Sequence, residues 1–131
     1  MSNVLRGVDA LVVRVPSVEA GLAFYRDRLG HPLLWRTSTA AGLVMDSSGT
    51  ELVVSVDSGP ETDVLVDSVD AAVAVIVDAG GALIAPPEDI AVGRVAVVAD
   101  PFGNELTLVD LSKGRFETDA AGNVTGVMQP E

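Results

Sequence analysis

The stretch VRVPSVEAGLAFYRDRLG (residues 13–30) meets VLVDSVDAAVAVIVDAGG (residues 64–81) at a constant offset of 51 residues. Val15, Ser17, Val18, Ala20, Ala23, Asp27 and Gly30 are identical to Val66, Ser68, Val69, Ala71, Ala74, Asp78 and Gly81. Both copies follow one physical pattern. A β-branched run ends, and a serine then stands where a helix N-cap needs a side-chain acceptor. An acidic residue follows in the first turn, near the positive end of the helix dipole, and a glycine stops the helix. In the first copy Val18, Leu22, Tyr25 and Leu29 recur at helical spacing. A second match, DSSGTEL (residues 46–52) with DPFGNEL (residues 100–106), has an offset of 54. The chain is therefore an internal repeat, and its second copy carries three extra residues, expected in the Pro86-Pro87-Glu88-Asp89 loop.

Working outward, Leu11 to Val15 reads as a strand closed by Pro16, and the helix runs to Gly30. Leu33 to Thr37, Leu43 to Met45 and Glu51 to Val56 read as three more strands. The order βαβββ then recurs. Val64 to Val66 is a strand, and a helix follows to Gly80-Gly81. Ala82 to Ala85 is strand-like before a Pro86-Pro87 loop. Arg94 to Ala99 and Glu105 to Val109 are the last two strands. The reading is one α+β domain over residues 1–131, with module one at about 8–57, module two at about 61–111 and a tail at 112–131. In the tail Asp119 to Gly122 and Asn123 are turn-formers, suited to a small hairpin or a mobile end.

Composition narrows the function classes. With 131 residues and 48% hydrophobic residues the chain can bury a core, and disorder is excluded. Eight basic residues against 19 acidic ones give a net charge of −11. That argues against nucleic acid or an anionic membrane as partner, and favours cationic or neutral ligands. There is no cysteine and only one histidine, His31, so disulfides, thiolate chemistry and Cys-based zinc sites are excluded. No apolar run approaches a membrane span, and the N-terminal residues do not resemble a signal peptide, so a cytoplasmic location is expected.

Period-2 alternation separates two faces along the strands. Leu11, Val13, Val15, Leu52, Val54, Val56, Val64, Val66, Leu106 and Leu108 form an aliphatic face expected to pack on the helices. The other face carries Ala10, Val12, Arg14, Glu51, Val53, Ser55, Glu61, Asp63, Leu65, Glu105, Thr107 and Val109. A half-apolar face with scattered charge suits a ligand cleft, or else a sheet half-covered at a subunit interface. A bulge would slip this parity by one residue.

The runs Val15 to Ala20, Phe24-Tyr25-Arg26-Asp27 and Leu29-Gly30, with Asp100-Pro101-Phe102-Gly103-Asn104 and Leu106, resemble the vicinal oxygen chelate superfamily. That superfamily includes glyoxalase I, bleomycin-resistance proteins, methylmalonyl-CoA epimerase and extradiol dioxygenases. The resemblance covers residues 8 to about 111. It implies two βαβββ modules forming incomplete barrels around a cleft, and frequent dimerisation. In metal-dependent members His, Glu or Gln ligands stand on the first and last strand of each module. Those positions fall here on Ala10, Val53, Glu61 and Thr107. Of these only Glu61 is a good ligand for a divalent ion.

The expectation is a metal-independent binding protein similar to the bleomycin-resistance branch. It would sequester a cationic or aromatic small molecule against Arg14, Trp35, Met45, Glu51, Val53, Glu61, Asp63, Glu105 and Thr107. No cofactor is expected, no catalytic residue is assigned, and a homodimer is expected. The alternative is a glyoxalase-like lyase or isomerase, or a dioxygenase, with a displaced carboxylate metal site at Glu51, Glu61, Asp63 and Glu105. Trp35 reads as core packing against the helix of Phe24 and Tyr25, or as a stacking surface for a planar ligand. His31 reads as a surface or capping residue of its turn, and Phe102 as a hydrophobic lid.

Overall fold

The computed structural model describes residues 3–129. The chain divides into two compact units, one holding residues 9–62 and 116–126, the other residues 63–115 with short flanking ends. Each is built on βαβββ order, so the α+β class and the two modules read from the repeat are present.

The first unit contains β1 (Gly7–Arg14), α1 (Val18–Leu22), β2 (Leu33–Arg36), β3 (Ala40–Val44) and β4 (Glu51–Ser55). Its strands neighbour one another in the order β2-β3-β4-β1, with β1 and β4 parallel and the other pairs antiparallel. The Ser17 hydroxyl accepts from the Ala20 N–H at 3.0 Å, which is the expected N-cap. The expected single helix does not stay α-helical. From Ala23 to Arg28 it widens into a π-helical turn, in which the Leu29 N–H donates to Phe24 O at 3.0 Å. Gly30, at φ +87°, then turns the chain out, a conformation that costs glycine little. Val18 and Leu22 of α1 meet Ala41, Leu43, Leu52 and Val54 in the core.

The second unit contains β5 (Glu61–Leu65), α2 (Val69–Asp78), β6 (Ala82–Ile90), β7 (Gly93–Ala99) and β8 (Glu105–Asp110). Strand order is β5-β8-β7-β6, and the core joins Val66, Val69, Ala72, Ala96, Val98 and Leu108. The register repeats as well as the sequence. Val12 opposite Val53 in the first unit becomes Asp63 opposite Thr107 in the second. Leu33 opposite Leu43 becomes Leu83 opposite Val98, and Trp35 opposite Gly42 becomes Ala85 opposite Val97.

Two expectations need correction. Pro86-Pro87 opens no loop. β6 runs on through them to Ile90, with register shifts between Leu83 and Ala85 and between Ala85 and Glu88. A strand that ends its sheet, and bulges, can accommodate residues that donate no ladder hydrogen bond. The extra residues thus lengthen the β6–β7 hairpin and are absorbed in bulges. The aliphatic face is also not uniform. Leu11 is 40% exposed, whereas Ala10 and Val12 on the mixed face are each 4% exposed and belong to neither core cluster.

The tail forms the hairpin β9 (Arg115–Thr118) and β10 (Val124–Met128). Its turn, Asp119 to Asn123, copies the turn Asp100 to Asn104 bond for bond. In each, the aspartate accepts from the N–H two residues on, from the asparagine N–H and from the asparagine side chain. No helix among the described residues is long and apolar enough to cross a membrane.

One buried carboxylate ties the second unit together. Asp110 is 2% exposed and accepts from the Val69 N–H at 2.8 Å, at the start of α2. It also accepts from the Arg94 N–H at 3.0 Å and from the Ser112 hydroxyl at 2.7 Å and N–H at 3.2 Å. Gly93 leaves room for it, since a Cβ there would collide with Asp110. Burial pushes the Asp110 carboxyl up. The hydrogen bonds from Val69, Ser112 and Arg94 outweigh that, so its pKa lies below the ordinary carboxylate value. A depressed folded-state pKa contributes stability above the unfolded value, and that stability is lost as pH falls through the folded one. Asp110→Ala should cost about 2–4 kcal/mol at neutral pH, because several buried N–H donors lose their acceptor. In urea denaturation the difference from wild type should narrow once the pH drops below the ordinary carboxylate range. A constant difference across that range would contradict the assignment.

Candidate functional site

The site grows from a bulge in β2. Leu33 faces Leu43 and Trp35 faces Gly42, so two steps along β2 match one step along β3, and Leu34 is the extra residue. Without the bulge Trp35 would share the face of Leu33, which packs on the α1 core. With it, Trp35 stands opposite Gly42. Ala41 and Leu43 on either side of Gly42 are fully buried in that core, so the Cβ direction of Gly42 points to the other face. A Cβ there would collide with the indole of Trp35 and stand 2.8 Å from Glu51 Oε1. The indole therefore lies over Gly42, in the space a side chain would fill.

Trp35 Nε1 donates to Glu51 Oε1 at 2.7 Å. The bond fixes the indole and leaves a carboxylate as its neighbour. Donation to a carboxylate also makes the indole more electron-rich, which favours a cation over its face. Val53, opposite Gly42 on β4, and Ala10, opposite Glu51 on β1, continue the same face. The core-packing expectation for Trp35 is thus overturned: the residue stands away from the helix. Tyr25 packs on the α1 core without it, and Phe24 is 53% exposed, edge-on to Tyr25 at 4.9 Å between ring centroids.

The aromatic partner of Trp35 is Phe116 on β9, with centroids 4.8 Å apart and ring planes 48° apart. Nothing in the motif reading pointed to Phe116. The available signal was the Asp-x-x-Gly-Asn turn of the tail, which repeats the module-two turn and would have made the tail a hairpin with an aromatic beside its base.

The other expected site residues stand on several elements of the two units. Met45 packs on the α1 core rather than beside Trp35. Arg14 is exposed at the end of β1, opposite Ser55. In the second unit Asp63 and Thr107 are paired across β5 and β8, and Glu105 lies two residues before Thr107. Glu61 lies two residues before Asp63 at the start of β5. The second unit lacks the aromatic platform, because Trp35 and Gly42 have Ala85 and Val97 as counterparts. His31 Nδ1 lies 2.9 Å from Val44 O and ties its turn to β3, as a capping residue would. Phe102 is 85% exposed at the tip of its turn.

The metal positions implied by the superfamily do not fit a metal. Ala10 and Val53 offer no donor, Thr107 offers one neutral hydroxyl, and Glu61 is the single carboxylate among the four. Among the described residues no three His, Asp or Glu side chains are gathered as a metal-binding group.

The glyoxalase-like domain family model matches residues 10–109. No curated protein matches the sequence. Among solved structures, methylmalonyl-CoA epimerase from Mycobacterium tuberculosis aligns with a TM-score of 0.66 at 18% identity, over 84% of this chain and 91% of its own. The epimerase from Streptomyces coelicolor aligns with a TM-score of 0.63 at 19% identity, over 81% of this chain and 97% of its own. The Mn(II)-bound glyoxalase from Novosphingobium aromaticivorans aligns with a TM-score of 0.57 at 17% identity, over 81% of this chain and 39% of its own. At these identities the likeness establishes the fold.

Because Gly42 holds open the space of the indole, Gly42→Ala should displace Trp35 and break its bond to Glu51. As Trp35 is the only tryptophan, its fluorescence reports this directly. The emission maximum should shift to longer wavelength while far-ultraviolet circular dichroism is retained. An unshifted spectrum would mean that the indole does not rest on Gly42.

Proposed function

The chain belongs to the glyoxalase-like domain family of the vicinal oxygen chelate superfamily, and on that premise we propose that it binds an organic small molecule without a resident metal. The observation that carries this reading is the exchange of donors on one face. Of the four positions implied by the superfamily, Ala10, Val53 and Thr107 are poor or no ligands and Glu61 alone is a strong one, while the face of Ala10 and Val53 in the first unit presents an indole and a carboxylate. Metal-assisted chemistry needs several nitrogen or oxygen donors at those positions, whereas recognition of a planar cation needs a π-face and a negative charge. The net charge of −11 favours the approach of such a ligand over that of an anion.

In this reading Trp35 stacks on the ligand and Glu51 supplies the opposing charge. Val53 gives apolar contact on the same face of the first unit, and in the second unit Asp63, Thr107 and Glu105 are separate candidates. Sequestration in the manner of the bleomycin-resistance branch fits these roles, since it needs recognition and no bond-making step. Two copies of the chain pairing as a homodimer is part of the same proposal.

Calorimetric titration with the planar cation N-methylacridinium, against 2-naphthoate as the anionic control, tests the reading. The cation should bind and the anion should not. Glu51→Gln, which keeps an acceptor for the indole N–H but removes the charge, should weaken the cation by about five- to tenfold. Equal affinity in the variant, or preference for naphthoate, would contradict a carboxylate-centred site.

A further inference from the structure

Resting on the binding reading above, we infer that Phe116 is a resident occupant of the Trp35 stacking surface, and that the C-terminal hairpin is the gate through which a planar ligand reaches it. The centroid separation of 4.8 Å and the tilt of 48° place Phe116 in direct contact with the indole. A second flat ring cannot enter that contact while Phe116 holds it. The hairpin has the properties of a part that moves as one piece. Its turn is closed by the Asp119 network, in which the N–H groups of Asn123 and Ala121 and the Asn123 side chain all donate to one carboxylate. Across the strands the Thr125 hydroxyl donates to Glu117 O.

Its attachment to the first unit is slight by comparison. The Arg36 N–H donates to Gly122 O at 2.8 Å, and Arg36 forms an isolated bridge with Asn123. Gly122, at φ +87°, sits close enough to Leu33 that a Cβ would stand 2.7 Å from its side chain. No hairpin residue belongs to either core cluster or is packed against one, and Glu117, Thr118, Ala120, Ala121, Asn123 and Thr125 are exposed. A segment with few buried apolar contacts and only a one-residue bridge to its neighbouring strand opens at lower free energy than a core strand. The contacts that hold it lie on β2, the strand whose bulge sets Trp35. Release of Gly122 and Phe116 together would expose the indole and leave Glu51 beside it.

Two measurements on the full chain test the inference. In Phe116→Ala the competitor for the indole is gone, so N-methylacridinium should bind roughly two- to tenfold more tightly than to wild type. Acrylamide quenching of Trp35 should rise in the same variant. Weaker binding would make Phe116 a wall of the ligand site, and unchanged binding would make it irrelevant; either overturns the inference. Independently of any ligand, amide hydrogen exchange in wild type should show the Arg36 N–H opening far more often than the core amide of Val54. Exchange of Arg36 only through global unfolding would overturn the gate. If the probe binds neither protein while Arg36 exchanges early, the binding reading fails and the mobile hairpin stands, so the two failures are distinguishable.

Discussion

The one-residue bulge in β2 decides the face on which the chain's only tryptophan stands. Strand side chains alternate, so a single extra residue moves everything beyond it to the opposite side. Leu34 is that residue. Before it, Leu33 completes the core over α1. After it, Trp35 lies over Gly42 and reaches Glu51. Gly42 is the second half of the same constraint, because no larger residue leaves room for the indole. The second unit keeps a bulge at the same place, between Leu83 and Ala85, but has Ala85 and Val97 where the first has Trp35 and Gly42. The backbone device is thus duplicated, and one copy alone carries the aromatic platform.

Much of the fold was legible because it rests on local signals that occur twice. The Ser17 and Ser68 caps form as read, and Leu52, Val54, Val66 and Leu108 of the aliphatic face are buried as read. What was not legible depends on tertiary context. The π-helical turn from Ala23 to Arg28 leaves the same apolar spacing as an α-helix. Pro86-Pro87 is a loop signal that β6 overrides at the end of its sheet, where proline's missing donor goes unneeded. The face of Trp35 could not be read, since nothing local marks where a bulge falls. Phe116 lies about eighty residues from Trp35 in sequence, and only tertiary structure joins them.

The comparisons place the chain in a fold that hosts epimerases and glyoxalases alike, so the activity must be argued from side chains. The positions that hold metal ligands in metal-dependent members of the superfamily carry an alanine, a valine, a threonine and a single glutamate. The face of Ala10 and Val53 in the first unit carries an indole bonded to a carboxylate. Glu61 is the one strong donor left among them, and a single carboxylate does not hold a divalent ion in place.

The proposal is that this member of the family binds its ligand without a resident metal. The most direct measurement is metal content per chain. The protein is stripped with chelator, reloaded separately with manganese, iron, cobalt, nickel and zinc, desalted, and analysed by mass spectrometry. Near-zero retention of every ion is expected. Retention of about one ion per chain would contradict it, and would mean that the carboxylates of the mixed face form a metal site despite Ala10, Val53 and Thr107.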